Sequence, residues 1–414
     1  MAISVPAINF PKLPKWLAQS QTANNDVLFD RGFVILAFTL YVIGLVMVAS
    51  SSMPVAERLT GNPFYFVGRH ASYIVICIVI AIGFLQVPMT VWQRFSFHFL
   101  GLALFLLIVV HFAGHSVNGA KRWLSIPGVM NIQAAEVAKL FFFCYVASYL
   151  VRRRDEVLDS FWGFIKPIII FGLLAFLLIM QPDLGTIVVM FVTTMGLLFL
   201  AGAKLKIFLG FSTVGVAGIV SAIYLEPYRW ARVTGFLDPW DDPFGKGYQL
   251  TQSLMAYGRG EVFGQGLGNS IQKLEYLPEA HTDFVMAVIG EEFGFIGIFF
   301  VLSICVALVV KALLLGRVAL EKEKYFEGFF AYAIGIWMSF QTAVNVGASA
   351  GIFPTKGLTM PLISYGGSSM IIMTLAIVIL IRIDHELRLQ AIQATQSTKP
   401  KKTKKVKTES GGRS

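Results

Sequence analysis

Residues 277–310 read LPEAHTDFVMAVIGEEFGFIGIFFVLSICVALVV. A polar, proline-containing approach ends at Asp283, and an apolar run then begins that is long enough to cross a bilayer as a helix. Nine further runs of this kind can be drawn, at roughly 33–53, 71–87, 95–113, 135–151, 164–180, 184–201, 205–225, 328–352 and 363–383. Together with 284–310 they predict an all-α integral membrane protein of about ten transmembrane helices. The composition agrees: 56% of the 414 residues are hydrophobic and only 14% are charged, about half the charged share usual for a soluble domain.

The formal net charge of +10 raises the question of nucleic acid. Its distribution argues against that, because the basic excess sits in tails and short loops beside apolar runs, where it sets topology. With both termini cytoplasmic, roughly two-thirds of the 34 Lys and Arg residues fall inside, including Arg152, Arg153, Arg154, Lys204 and Lys206. Residues 1–32 then form a cytoplasmic N-terminal tail and 33–383 the membrane domain. Residues 384–414 form a basic cytoplasmic tail, expected to lack structure after about 390. The first 30 residues lack the apolar core of a cleaved signal peptide. Cys77, Cys144 and Cys305 all lie within apolar runs, so neither a disulfide framework nor a metal cluster is expected.

The segment 226–283 is the long loop on the non-cytoplasmic side, between helices seven and eight, and acidic residues outnumber basic ones in it. Loops of this length usually carry function. Its glycines, Gly258 through Gly268, follow no strand, so a nucleotide-binding reading fails its context; tight packing of a re-entrant segment remains. Asp283 closes the loop at the membrane edge. Partial desolvation there raises a carboxyl's pKa, as a general base requires. Asp is equally suited to capping the helix that follows, and the two roles are compatible.

Charges inside apolar runs are costly unless paired or facing a cavity. Glu136 and Lys139 lie three apart on one helical face and can form a structural ion pair. Alternatively Lys139, with Lys121 and Arg122, supplies positive charge for an anionic substrate group. Glu291 and Glu292 sit between Gly290 and Gly294. Asp183, after Pro182, is either a buried anchor or a cavity acid. Residues 357–369, GLTMPLISYGGSS, are dense in small residues, which suits close helix packing or a headgroup site built from hydroxyls such as Ser364 and Ser368.

Taken together, Lys121-Arg122-Trp123, Gln181-Pro182-Asp183-Leu184-Gly185-Thr186, Leu277 to Phe284 and Pro361 to Ser368 closely resemble the SEDS family (shape, elongation, division and sporulation proteins) over about residues 30–390. The segments Tyr257-Gly258-Arg259-Gly260-Glu261 and Gly264 to Ser270 resemble the division branch rather than the elongation branch. One departure is Gln133-Ala134-Ala135-Glu136, where the family usually has proline after the glutamine; that loss touches the start of the fourth span.

The resemblance implies a peptidoglycan glycosyltransferase of the bacterial inner membrane that polymerises lipid II at the division septum. It further implies a class B penicillin-binding protein as partner, with other division membrane proteins nearby. Asp283 matches the aspartate regarded as catalytic. Lys121, Arg122, Glu136, Lys139, Asp183, His281, Ser364 and Ser368 are the substrate-binding candidates. No cofactor is evident, and a divalent cation is left open. A lipid II flippase or a division scaffold are the rival readings; a flippase would be expected to show paired broken helices in two repeats, and no repeat is evident.

Overall fold

The computed structural model describes residues 28–117, 120–126, 130–354 and 357–397. Among these, nine helices are long and apolar enough to span a membrane. They are α1 (Arg31–Thr60), α2 (Tyr65–Phe84), α3 (Met89–Ala113), α4 (Ala134–Arg152), α6 (Phe161–Ile179), α8 (Leu205–Tyr224), α11 (Val285–Glu321), α12 (Tyr325–Ser349) and α13 (Gly367–Ser397). A tenth apolar helix, α7 (Leu184–Leu200), has 17 residues. At 1.5 Å per residue it covers roughly 25 Å, enough for the thinner part of a hydrocarbon core. The chain is a multi-pass membrane protein. Short connecting helices are α5 (Arg154–Asp159), α9 (Pro227–Leu237) and α10 (Tyr248–Gly260).

Three spans are mostly enclosed, α4, α12 and α13, and two of them are the least apolar of the set. Windows in α4 and α12 have mean hydropathies of 1.5 and 1.2 and are 83% and 67% buried, whereas α8, at 1.9, is not buried at all. The central position of α4 shelters its two charged residues, Glu136 and Lys139, from lipid. The helix α4 begins at Ala134 with Gln133 as its N-cap residue, so the missing proline does not displace its start. Proline is favoured at that position but not required.

Three features depart from the expected all-helical plan. A three-stranded antiparallel sheet follows α3, ordered β1 (His115–Val117), β2 (Ala120–Ile126), β3 (Met130–Gln133). The outer segment 226–283 holds α9 and α10 rather than loop alone. The last helix continues to Ser397, past the point where an unstructured tail was expected, and Arg388 pairs with Asp384 one turn earlier at 2.7 Å. The Lys-rich cluster from Lys399 to Lys407 and the N-terminal tail up to residue 27 lie outside the described residues.

The helix α11 is broken at Gly294, whose φ of 65° and ψ of −162° are open to glycine and strained for any other residue. A break leaves backbone groups without helical partners, which hydrocarbon does not tolerate. Here the outer loop satisfies them. Gln265 and Gly266 donate to the carbonyls of Glu291 and Glu292 at 3.0 and 2.9 Å, and Phe295 and Ile296 donate to those of Glu261 and Val262 at 2.9 and 3.2 Å. A Cβ at Gly264 would stand 2.2 Å from the Glu292 carbonyl oxygen, so only glycine admits this approach. The loop glycines thus serve close packing.

The candidate active site

A cavity of about 580 Å³ opens beneath the outer segment. Three arginines line it, Arg122, Arg229 and Arg232, together with three carboxylates, Asp183, Glu279 and Asp283. Each reaches it for a local reason. The register between β1 and β2 passes from His115↔Trp123 to Ser116↔Lys121, leaving Arg122 as the extra residue of a bulge. Bulges re-aim side chains. Arg122 Nε donates to the Gln181 carbonyl at 2.9 Å and its Nη2 to that of Pro182, which holds the guanidinium against the α6–α7 turn. Lys121 is exposed and does not line the cavity. Arg229 and Arg232 lie three apart on α9, which starts with Pro227.

Asp183 is the N-cap of α7. Its carboxylate accepts from the Thr186 amide at 3.2 Å and from the Thr186 hydroxyl at 2.9 Å while also lining the cavity. Anchor and cavity acid are therefore one residue. At α11 the N-cap position belongs to Phe284 and no side chain caps it, so the capping role considered for Asp283 is not used.

Asp283 is half-buried, with its remaining surface on the cavity. Burial is the main cause that raises its pKa from 3.8 to about 7; Glu279 and Asp183 push the same way, while Arg232 and Arg122 oppose them. A carboxyl that titrates near neutrality can both take up and release a proton.

The other candidates lie outside the cavity lining. Lys139 is fully buried, pairs with Glu136 at 2.8 Å, donates to Gln341 at 3.0 Å and sits 5.1 Å from the centre of the Trp337 ring. Its charge is neutralised inside the helix bundle and is not presented at the outer leaflet. Ser364 accepts from the Met360 amide at 2.8 Å, shaping the turn before α13. Ser368 accepts from the Gln133 amide at 3.0 Å and donates to the Asn131 carbonyl at 2.7 Å, tying α13 to β3.

His281 packs its ring 5.0 Å from Phe66 and 5.6 Å from Tyr365, and its carbonyl accepts from the Tyr365 amide at 2.9 Å. Burial lowers its pKa, and Glu279 opposes that shift. These contacts tie the segment two residues before Asp283 to Phe66 and Tyr365. Arg229 and Arg232 are lining residues that were not among the sequence candidates, whereas Thr359 and Ser369, hydroxyls of the 357–369 segment, reach the cavity. The i, i+3 arginines behind a helix-starting proline were the available signal. Among the described residues no group of three or more His, Cys, Asp or Glu is placed to hold a metal ion.

The model of the cell cycle protein family of FtsW, RodA and SpoVE matches residues 30–389. The chain belongs to this family. It is 60% identical over 365 residues to the probable peptidoglycan glycosyltransferase FtsW of Pseudoalteromonas atlantica, covering 88% of this chain and 75% of that one. It is 51% identical over 408 residues to the protein of the same name from Escherichia coli O6:H1, covering 95% and 98%. Both relatives carry the name of the division branch.

Among solved structures, a chain of a peptidoglycan synthase complex that coordinates polymerization and crosslinking matches with a TM-score of 0.70 at 26% identity, covering 87% of this chain and 99% of that one. The rod shape determining protein RodA of Thermus thermophilus shares the fold, with a TM-score of 0.65 at 24% identity over 88% and 99% of the two chains.

Proposed function

We propose that this chain, a peptidoglycan glycosyltransferase like its FtsW relatives, polymerises lipid II in the cavity beneath the outer segment, with Asp283 as general base. The observation that carries this reading is one carboxyl, raised to about 7, sharing a cavity with three arginines. The acceptor sugar's 4-hydroxyl attacks the anomeric carbon of the donor and gives its proton to Asp283. The bond from that carbon to the pyrophosphate breaks, and the departing oxygens gain negative charge that Arg122, Arg229 and Arg232 offset. A single displacement converts an α-linked donor into a β-1,4 product. Both substrates are lipid-tethered, so orientation within the cavity supplies much of the acceleration.

The basic inner loops support cytoplasmic termini and a cavity that opens on the outer side of the inner membrane. The similarity to a peptidoglycan synthase complex and to FtsW proteins supports a class B penicillin-binding protein as partner and the septum as the place of work. Septal enrichment of a fluorescent fusion tests the location.

The reaction is tested by adding labelled lipid II to the purified chain with its partner and resolving the glycan products. Wild type is expected to polymerise, and Asp283→Asn to lose about 100-fold or more, the lower range for a general base. Normal polymerisation by that variant overturns the assignment. Lipid scrambling without polymer from wild type would favour the flippase.

A further inference from the structure

Asn345 lies on α12, one turn after Gln341, and is 2% exposed. Its Nδ2 donates to two main-chain carbonyls, that of Asp283 at 2.9 Å and that of Leu358 at 2.6 Å. Two acceptors facing the same end fix the amide's orientation. Its Oδ1, at the other end, is buried without a hydrogen-bond partner. An unpaired buried acceptor is unfavourable, and a side chain serving only to fill space here would be apolar. The two donated bonds are what the amide contributes.

They join two segments that meet at the site. A Cβ on Gly357 would lie 3.3 Å from Asp283 Oδ2, so the carboxylate rests against the backbone just before Leu358. Gln341 completes the arrangement one turn away. Its Oε1 accepts from Lys139 and from Trp337 Nε1 at 3.0 and 2.7 Å, which turns Nε2 toward the Thr359 carbonyl at 3.0 Å. Thr359 lines the cavity. The central helix thus grips both the strand of chain that carries the carboxylate and the one beneath it.

We propose that Asn345 is a positioning residue that fixes the main chain at Asp283 and thereby aims its carboxylate into the cavity. This rests on the reading of Asp283 as base. Shifts of about 1 Å in a reacting group can lower a rate by about 100-fold, so a single amide linking both segments has leverage over turnover.

The test uses the full chain with its partner, comparing wild type, Asn345→Leu, Asn345→Ala and the neighbouring control Val344→Ala. Asn345→Leu keeps the volume and removes the donors. Expected for Asn345→Leu are a kcat per folded molecule lower by about 30- to 100-fold, a KM within about twofold, and a lower melting temperature, since the carbonyls of Asp283 and Leu358 lose their donor. The acidic limb of the pH profile should move below its wild-type position, because a loosened carboxylate gains water. Hydrogen exchange should quicken in residues 279–284 and 357–360 and stay unchanged elsewhere.

The proposal is overturned if activity falls only with the folded fraction, if KM alone changes, or if the limb stays in place. Asp283→Asn is assayed alongside. Should it polymerise as wild type, the base assignment fails and this proposal with it, while the exchange data still read whether Asn345 holds the two segments.

Discussion

Arg259 Nη1 lies 2.6 Å from Glu291 Oε1, joining the end of α10 to the outer half of the broken helix α11. The Glu291 side chain has no exposure, whereas that of Arg259 is 36% exposed. The same carboxylate accepts from the Ile271 amide at 2.9 Å and from the Ser270 hydroxyl. One buried anion therefore organises the loop from three directions.

Arg259→Ala leaves that anion with its neutral donors alone. The expected cost is about 1–2 kcal/mol, below the range for a fully buried pair because the guanidinium is partly exposed to water. Thermal unfolding in detergent measures it. Adding Glu291→Gln should recover part of the loss, and a double variant no more stable than Arg259→Ala would contradict the pairing.

The profile of kcat/KM should fall on the acidic side with a limb near pH 7, because the proposed base acts only when deprotonated and its carboxyl is raised to about 7. Stability runs the other way. Between 3.8 and about 7 the folded chain keeps a proton that the unfolded chain has released, so this group's contribution declines as pH rises through that window. Asp283→Asn should therefore melt higher than wild type above pH 7, with the gain shrinking toward about pH 4. Parallel melting curves at all pH values would contradict the shift.

Arg122→Ala should lower kcat/KM by about 10- to 100-fold, with Arg122→Lys recovering a part, since lysine restores the charge but not the forked contact with Gln181 and Pro182. Lys121→Ala should stay close to wild type. Steady-state polymerisation by the adjacent pair separates the two residues, and equal losses would refute the bulge argument.

Lys139→Met leaves Glu136 unpaired inside the bundle and should destabilise the chain by about 3 kcal/mol. The double variant Lys139→Met, Glu136→Gln should regain much of that stability. If Lys139→Met instead unfolded like wild type and raised only KM, the residue would belong to substrate binding after all.

The helices were legible because a run of apolar residues has one stable form in lipid, and the basic loops carry topology in their own composition. Asp283 was legible from its place at the end of a polar loop. The sheet formed by β1, β2 and β3 was not, since three short strands leave little periodicity beside long helices. The partners of Glu291 and Glu292 are Arg259 and Lys273, with Lys273 2.7 Å from Glu292. They come from α10 and the chain that follows it, some twenty to thirty positions earlier, and no local spacing links them. Of the two readings of Lys139, the structure takes the local one: the ion pair with Glu136 was legible from the i, i+3 spacing, whereas the added contact with Gln341, about two hundred positions away, was not. Arg122 and Lys121 are neighbours in the sequence, and only the bulge assigns them different roles.

The break at Gly294 has a consequence for biogenesis. The piece from Phe295 to Glu321 alone covers roughly 40 Å, so it can enter the bilayer unaided. The outer piece, Val285 to Phe293, carries Glu291 and Glu292 and ends at carbonyls whose donors belong to residues 265 and 266. It becomes tolerable at membrane depth only once that earlier loop has folded back upon it. Seating of the outer piece and docking of the loop are therefore coupled, since the carbonyls and ion pairs of Glu291 and Glu292 are satisfied by residues 259–273.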